Sequence, residues 1–273
     1  MNLLTDTKDR MENTFKDLLP NLLTRFLNQQ TVRLKADHWL FSGHIAHRGF
    51  HNQDIPENSL AAFQNAIDQK YAIELDIHIL KDGEIIVFHD NDLSRMVGIK
   101  KSLKDLCLHD FNELKLGGTN EKVPTLKEVL SLVDGQVPIF IEIKNSSKVG
   151  LLEHETFNIL KSYKGPFAIQ SFNPLSLAWF RLKLPNVPRG MLSTLELNHL
   201  HLFKRLIIKN YFMYPLVAPS YIAQDINSWD LNVVKYLRKN CEIPLIIWTV
   251  RSKEKYINIK THCENIIFED FSP

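Results

Sequence analysis

The sequence has little of what marks several non-globular classes of protein. Glycine and proline number only 10 and 12 in 273 residues, which excludes a collagen-like chain and argues against a disordered one. The 3 cysteines, Cys107, Cys241 and Cys263, form no closely spaced pair, so we expect reduced thiols rather than a disulfide scaffold or a zinc site. No apolar run approaches the roughly 20 residues that span a bilayer. The apolar fraction of 44% instead indicates a globular protein with a full core.

Neither sign of charge is in excess. Lysine and arginine number 33 against 31 acidic residues, a net charge of +2, so the electrostatics do not favour nucleic acid as a ligand. Near the N-terminus, Asp6, Asp9 and Glu12 interrupt the region where a secretion signal would be apolar. Together with the reduced thiols, this predicts a cytoplasmic protein without a transmembrane segment. The oligomeric state is left open.

Short β-rich runs alternate with helix-patterned segments along most of the chain. Strands separated by helices pair in parallel with right-handed crossovers, and eight such units close into a barrel. The sequence therefore predicts an α/β protein of the (β/α)8 TIM barrel class. We expect the barrel strands at 44–47, 72–77, 139–144, 167–171, 189–192, 214–218, 245–250 and 265–268. We expect helices at 58–70, 125–133, 153–163, 174–183, 195–210, 229–240 and 252–259.

The segment after the second strand breaks this alternation. Asp82-Gly83 is a strong turn signal between two β-rich arms, so the chain should fold back as an antiparallel β-hairpin. The returning arm would bring His89 alongside Asp76 at one end of the barrel. The polar, irregular stretch at about 91–122 then predicts a small insertion over the barrel mouth.

The first forty residues form a separate segment. From Met11 to Leu27, apolar residues recur at helical spacing, which predicts an amphipathic N-terminal helix over 1–40, packed on a barrel of residues 41–273. Because the sequence ends at Pro273, soon after the eighth strand, we expect this helix to cover barrel surface where a last outer helix would lie. Weak contact with a membrane surface is the alternative, although the polar face of the helix mixes charges of both signs.

Ionisable residues gather at the ends of the predicted strands, where barrel enzymes carry their functional groups. Residues two apart on a strand share a face, so Glu74 and Asp76 point the same way, as do Glu142 and Lys144. Further candidates are His47 and Arg48 after the first strand, His89 at the end of the hairpin arm, and Trp248 near the end of the seventh strand.

Three carboxylates in one barrel mouth need a cation, because like charges repel and burial opposes ionisation. All-oxygen ligands select a hard divalent ion, so we expect one Mg²⁺ or Ca²⁺ at Glu74, Asp76 and Glu142. With that ion, Arg48 and Lys144 leave the site with one positive charge, which a phosphodiester would neutralise. The charges therefore favour an anionic substrate of low charge.

His47 and His89 have the chemistry that phosphodiester displacement requires. One group must deprotonate the nucleophile while another protonates the leaving alkoxide, and imidazole exchanges protons near neutral pH. Such help is needed because phosphate esters hydrolyse extremely slowly in water. We therefore predict that these two histidines form the catalytic acid/base pair.

Several separated motifs resemble the glycerophosphodiester phosphodiesterase family from about residue 44 to residue 273. In order they are HRG, PENSLAAFQNAI, ELDIHILKDGEIIVFHD, PTLKEVL, IFIEIK, QSFN and WTV. The resemblance implies a (β/α)8 barrel with a small insertion. It also implies hydrolysis of glycerophosphodiesters, which are small molecules, to sn-glycerol 3-phosphate and an alcohol.

The resemblance implies roles for individual residues as well. His47 and His89 resemble the acid/base pair of the family. Glu74, Asp76 and Glu142 resemble its ligands of a divalent metal. Arg48 and Lys144 resemble its phosphate contacts, and Trp248 resembles a wall of its substrate pocket.

Two segments depart from the pattern of that family. Arg251 follows WTV where the family usually has Asn, and EDFSP at 269–273 replaces the usual Thr-Asp-Tyr-Pro. Both lie near the mouth, so the preferred leaving group stays open. Two other functions also stay open. One is a lysophospholipase D-like phosphodiesterase, which the apolar N-terminal helix favours, and the other is a non-catalytic barrel that binds a phosphorylated metabolite.

Overall fold

A closed barrel of parallel strands with helices around it forms the body of the protein. The computed structural model describes residues 34–35, 37–145, 148–194, 211 and 213–273; most of the predicted extension 1–40 and the helix predicted at 195–210 lie outside them. The strands are β1 (Ile45–Ala46), β2 (Ala72–Ile79), β3 (Ile85–Val87), β4 (Ile139–Ile143), β5 (Phe167–Ser171), β6 (Arg189–Ser193), β7 (Tyr221–Asp225), β8 (Leu245–Val250) and β9 (Asn265–Phe268). The α-helices are α1 (Leu60–Asp68), α2 (Ser94–Val97), α3 (Leu126–Val133), α4 (Leu151–Leu160), α5 (Pro174–Lys183), α6 (Tyr214–Val217), α7 (Asn232–Cys241) and α8 (Lys253–Ile259).

The strand order confirms the predicted (β/α)8 TIM barrel. Neighbours follow β1-β9-β8-β7-β6-β5-β4-β2, and β1 also pairs with β2, which closes the ring. Every pairing in the ring is parallel. The register sets Ala46 opposite Phe268 and Asp76 opposite Glu142. Because the carboxyl ends of the strands meet at one rim, the residues that follow them share one mouth.

Local signals explain where several helices begin. Ser59 caps α1 by accepting a hydrogen bond from the N–H of Ala62 (3.1 Å). Thr125 and Glu128 form a capping box at the start of α3. Pro174 opens α5, where its missing N–H costs no helical hydrogen bond. In the described part of the chain, no helix has the length and hydropathy of a membrane span.

The predicted hairpin is confirmed. β3 pairs antiparallel with β2, with Val87 opposite Ile77. Gly83 in the connecting turn has a φ of 87°, a conformation that glycine adopts without strain. The returning arm therefore ends beside the carboxyl end of β2, as the sequence predicts.

The segment that follows the hairpin builds a small apolar cluster of its own. It contains α2 and two short 3-10 helices, Leu103–Asp105 and Leu108–Phe111. Buried side chains of this segment pack against residues of the hairpin. The cluster consists of Leu80, Ile86, Phe88, Leu93, Leu103, Leu106, Phe111, Leu116 and Val123.

The prediction of a strand at 214–218 is wrong. That segment holds the short helix α6, and the sixth barrel strand is β7, a few residues further on. Pro215 lies in the first turn of α6, whereas in a central strand it would remove a hydrogen bond from the ladder. In β7, Tyr221 and Ala223 share the barrel interior. This two-residue periodicity identifies YIAQD as the strand. The run YPLVA is apolar throughout, so it shows no such alternation.

Apolar side chains fill the lower part of the barrel. All eight ring strands contribute to one buried cluster, which Leu40 completes from a 3-10 helix at Trp39–Phe41. Asn265 Nδ2 donates to Leu40 O (2.9 Å) and fixes this helix under the barrel. We call this cluster the apolar floor. It consists of Leu40, Ile45, Ala72, Phe140, Ala168, Leu192, Tyr221, Ala223, Ile246 and Ile267.

Gly190 on β6 lies where the ring of Tyr221 crosses from the neighbouring strand. A Cβ at this position would lie 2.2 Å from the ring, and Tyr221 is fully buried. Gly190→Ala should therefore lower the free energy of unfolding by about 1–3 kcal/mol, as overpacking does. Urea denaturation measures the change, with Gln64→Ala on the exposed face of α1 as the control. A variant as stable as the wild type would contradict this close packing.

Candidate active site

Three carboxylates from two adjacent strands converge at the barrel mouth. Glu74 and Asp76 lie on one face of β2, and the register of β4 sets Glu142 beside Asp76. One carboxylate oxygen of each residue lies within 4.8 Å of the others. The three residues are buried, at 1%, 1% and 6% exposure. The structure therefore brings together the three residues predicted as metal ligands, which we call the acidic cluster.

Amide side chains hold the acidic cluster in place. Gln170 Nε2 on β5 donates to Glu74 Oε1 (3.2 Å). Tyr221 Oη donates to Gln170 Oε1 (3.3 Å), which fixes the amide with its NH2 group toward Glu74. Asn58 Nδ2, two residues before α1, donates to Asp76 Oδ2 (3.0 Å). The positions of Glu74 and Asp76 are thus set from β5, β7 and the loop before α1.

Two cations contact the same carboxylates. Lys144 Nζ lies 2.7 Å from Glu142 Oε1 and 3.0 Å from Asp76 Oδ1. The backbone N–H of Arg48 donates to Glu74 Oε2 (3.1 Å), and its Nε lies 3.5 Å from Asp76 Oδ2. The two residues predicted as phosphate contacts therefore lie at the edge of the acidic cluster.

Burial and mutual repulsion determine the protonation of the three acids. Burial, with the charges of Asp76 and Glu142, holds the pKa of Glu74 well above its ordinary value. Burial raises the pKa of Glu142 to about 7, against the opposing charge of Lys144. Burial also opposes ionisation of Asp76, but Lys144 and Arg48 outweigh it and lower the pKa of Asp76. The two cations thus favour the ionised form of Asp76, whereas the ionised forms of Glu74 and Glu142 remain disfavoured.

The donor set of the acidic cluster fits a hard divalent ion. Carboxylate oxygens are the ligands that Mg²⁺ and Ca²⁺ prefer in proteins. Asp76 Oδ1 is buried and has no hydrogen bond among the described residues. Lys144 Nζ lies within ion-pair distance of it, but not in hydrogen-bonding geometry. A dication would also relieve the repulsion that raises the pKa of Glu74 and of Glu142. Glu74, Asp76 and Glu142 are therefore able to hold the ion that the sequence predicts.

Metal binding by the acidic cluster should release protons, because carboxylate ligands bind in their ionised form. The pKa of Glu142 is about 7 and that of Glu74 is raised, so protons compete with the ion increasingly as the pH falls below 7. For each displaced proton, we expect the Kd for Mg²⁺ or Ca²⁺ to rise about tenfold for every unit by which the pH falls below 7. Calorimetric titration one unit above and one unit below pH 7 measures this change. Equal Kd values at the two pH values would contradict it.

His47 follows β1 directly, and a carboxylate holds its ring. Its Nδ1 is hydrogen-bonded to Glu269 Oε2, on the residue after β9. Its Nε2 lies 4.0 Å from Glu74 Oε2, so the ring reaches the edge of the acidic cluster. Burial lowers the pKa of His47, and the hydrogen bond to Glu269 opposes this effect. The neutral ring is therefore favoured near pH 7.

His89 ends the hairpin arm beside β2. The N–H of the preceding Phe88 donates to Asp76 O (2.9 Å), which brings the end of the arm next to the acidic cluster. His89 Nδ1 is hydrogen-bonded to Asp90 Oδ1 (2.7 Å), and burial lowers the pKa of the ring. Each of the two predicted catalytic histidines thus has its own carboxylate partner.

A bridge of charged side chains connects the insertion to the mouth. Arg95 on α2 donates to Asp90 Oδ2 through Nε (2.7 Å) and to both carboxylate oxygens of Glu57 through its terminal nitrogens (2.8 and 2.7 Å). Glu57 also accepts a hydrogen bond from Arg48 Nη1 (2.7 Å). One network therefore holds both Arg48 and His89.

Trp248 is half-buried on β8, at the same end of the barrel. Its Nε1 donates to Ala223 O (2.9 Å). Its ring meets Phe172 edge to face, with 5.6 Å between the centroids. The two rings pack on the apolar floor and form an aromatic surface where the sequence predicts a pocket wall.

Several residues of the site were not predicted from the sequence. Gln170 carried a usable signal, because it shares the inward face of β5 with Ala168, where a polar side chain needs a partner. Asn58 carried a weaker one, in PENS, which also marks the start of a helix. Glu269 lies in the departing segment EDFSP, but no local signal pointed to its partner His47, which is 222 residues away.

The fold and the buried ionisable groups at its mouth define a (β/α)8-barrel enzyme. The chain belongs to the glycerophosphoryl diester phosphodiesterase family, whose sequence profile matches residues 47–271. It is accordingly an enzyme that hydrolyses glycerophosphodiesters, which confirms the resemblance noted in the sequence.

Two of three similar proteins match most of this chain, and the third matches less than half of it. A glycerophosphodiester phosphodiesterase of Caldanaerobacter subterraneus is 28% identical over 247 residues, which cover 83% of this chain and 93% of that protein. The crystal structure of a glycerophosphodiester phosphodiesterase from Thermotoga maritima matches with a TM-score of 0.65 at 26% identity, over 83% of this chain and 94% of that one. A lysophospholipase D of Rattus norvegicus is 35% identical over 136 residues, 45% of this chain and 42% of that protein.

Proposed function

We propose that the protein converts a glycerophosphodiester and water to sn-glycerol 3-phosphate and an alcohol. In this proposal Glu74, Asp76 and Glu142 hold one divalent ion, Mg²⁺ or Ca²⁺, and His47 and His89 form the acid/base pair. One observation carries the proposal: three buried carboxylates lie within 4.8 Å of one another, and His47 Nε2 lies 4.0 Å from one of them. Membership of the glycerophosphoryl diester phosphodiesterase family supports the same reaction.

Lys144 and Arg48 are the groups suited to bind the phosphodiester. Their side chains are only 18% and 16% exposed, so a charge-assisted hydrogen bond to a phosphoryl oxygen would be strong there. The planar guanidinium of Arg48 is able to donate two parallel bonds to phosphate oxygens. With a dication at the acidic cluster, one phosphodiester charge balances the site.

The two histidines would carry the protons of the displacement. A bond forms from the attacking oxygen to phosphorus, and the bond from phosphorus to the alcohol oxygen breaks. One imidazole takes the proton of the attacking oxygen, and the other gives a proton to the departing alkoxide. His47 and His89 come from separate segments, and their partners are Glu269 and Asp90. A divalent ion, when bound, supplies polarisation of a phosphoryl oxygen.

Product release with and without metal tests the proposal. Release of glycerol 3-phosphate from glycerophosphocholine should require Mg²⁺ or Ca²⁺, stop in excess EDTA and return when metal is added back. EDTA saturated with metal beforehand is the control for effects of the chelator itself. Undiminished turnover in EDTA would contradict the metal requirement. Failure to release glycerol 3-phosphate from any glycerophosphodiester would contradict the reaction.

A lysophospholipase D-like activity is the second candidate. It is favoured by the 35% identity with the rat lysophospholipase D over 136 residues. The same acidic cluster and histidines would then act on a diester that carries an acyl chain on its glycerol. Comparing kcat/KM for glycerophosphocholine and for lysophosphatidylcholine, which share one head group, decides between the two substrates. A higher value for the acylated diester would favour the second candidate.

A further inference from the structure

Closure of the barrel brings Glu269 to His47. In the pairing of β1 with β9, Ala46 lies opposite Phe268, and the backbone N–H of His47 donates to Phe268 O (2.9 Å). His47 and Glu269 therefore leave two adjacent parallel strands side by side. Glu269 Oε2 is hydrogen-bonded to His47 Nδ1, and its side chain is only 12% exposed. The contact is thus set by strand register and is largely shielded from water.

Arg251 fixes the orientation of the same carboxylate. Its Nε donates to Glu269 Oε1, so the two oxygens of one carboxylate have different partners, His47 and Arg251. Arg251 and Glu269 both lie in the segments where the sequence departs from the pattern that it resembles. In the structure the two departures are partners of one another.

We propose that Glu269 is a positioning residue for His47 and that Arg251 holds Glu269 in the required orientation. The inference rests on the proposed function, in which His47 transfers a proton. It assigns a role to two residues whose ion-pair partners among the described residues are His47, His51, Asp270 and each other.

A carboxylate beside Nδ1 determines which nitrogen of His47 carries the hydrogen. An ionised carboxylate only accepts hydrogen bonds, so Nδ1 must be the donor. In the neutral ring the lone pair is then on Nε2, the atom that lies 4.0 Å from Glu74 Oε2. Glu269 therefore turns the proton-accepting atom of His47 toward the acidic cluster. It also faces the imidazolium that forms when the ring accepts a proton.

Graded variants of Glu269 test this role through kcat. Glu269→Leu removes the acceptor and should lower kcat about 10- to 100-fold with little change in KM, because the tautomer and ring orientation are no longer fixed. Glu269→Gln keeps an oxygen that accepts from Nδ1 and should retain more of kcat than Glu269→Leu. The matched control is Asp270→Asn, which alters the next carboxylate, 4.0 Å from Arg251, and should keep the wild-type kcat. Wild-type kcat in Glu269→Leu would overturn the inference.

A double-variant cycle separates positioning from a structural effect. If Glu269 acts through His47, Glu269→Leu should cause no further loss of kcat in a His47→Ala background. A structural role predicts the same fold-loss in both backgrounds, and that result would overturn the inference. The urea midpoints of all variants identify any that fold poorly, and Glu269→Gln then serves in place of Glu269→Leu.

Nitrogen NMR of isotope-labelled histidine reads the tautomer without turnover. The signals of His47, one of 11 histidines, are those missing from the spectrum of His47→Ala. The wild type should have hydrogen on Nδ1, and Glu269→Leu should lose this preference. Hydrogen on Nε2 in the neutral wild-type ring would overturn the inference. If the wild type hydrolyses no glycerophosphodiester, the proposed function fails, and this spectrum alone decides whether Glu269 positions His47.

Discussion

Replacing Glu74 or Glu142 with Gln is expected to lower kcat/KM about a thousand-fold or more. Each variant replaces one proposed carboxylate ligand of the acidic cluster with a neutral amide. Loss of metal-based stabilisation of the transition state costs several kcal/mol, and about 4 kcal/mol corresponds to a factor of about a thousand in rate. Release of glycerol 3-phosphate, followed over a range of Mg²⁺ or Ca²⁺ concentrations, measures the loss.

A surface carboxylate and a stability measurement serve as controls for these two variants. Glu84→Gln removes an acid that pairs with Lys127 on the outside of the hairpin, and it should keep its activity. The pKa of Glu74 is raised in the folded protein, whereas in the unfolded chain it has its ordinary value of about 4.3. This carboxyl therefore lowers the free energy of unfolding as the pH rises above about 4.3. Metal-free Glu74→Gln should therefore unfold at a urea concentration no lower than the wild type. Near-wild-type turnover in either variant would end the case for this metal site.

Replacing His47 or His89 with Ala should lower kcat about 10²–10⁴-fold, the usual contribution of general acid–base catalysis. KM should change much less, because Arg48 and Lys144, the residues proposed to bind the phosphodiester, are unchanged. Steady-state kinetics at saturating metal separates the two constants. We expect both variants to bind Mg²⁺ or Ca²⁺ with an affinity close to that of the wild type.

An exposed histidine is the control for the two imidazole variants. His154 lies on the outer face of α4, so His154→Ala should keep the wild-type kcat. If His47→Ala turned over at the wild-type rate, His47 would have no part in proton transfer. The same reasoning applies to His89, and the two variants are assessed separately.

The sequence predicted the barrel well because strand and helix periodicities are local signals. The helix at Pro174–Lys183 begins and ends where its sequence predicts, and the hairpin follows from Asp82-Gly83 between two β-rich arms. The prediction for 214–218 was wrong because a short apolar run is compatible both with a strand and with one buried helical turn. Only the position of Pro215 and the alternation in YIAQD distinguish the two.

The acidic cluster was predictable because Glu74 and Asp76 lie two apart on β2 and Glu142 lies on β4, and both strands end at one rim. The partners of these residues could not be assigned to them from the sequence, because they depend on which side chains meet when the barrel closes. Gln170 reaches Glu74 across 96 residues, and Glu269 reaches His47 across 222. Contacts of this kind follow from the closed three-dimensional barrel, which no window of sequence contains.

The apolar floor closes one end of the barrel. Leu40, Ile45 and Phe140 are completely buried beneath the acidic cluster, so packed side chains close the path toward the opposite end. An ion held by the acidic cluster would share one opening of the barrel with every diester that enters and every alcohol that departs.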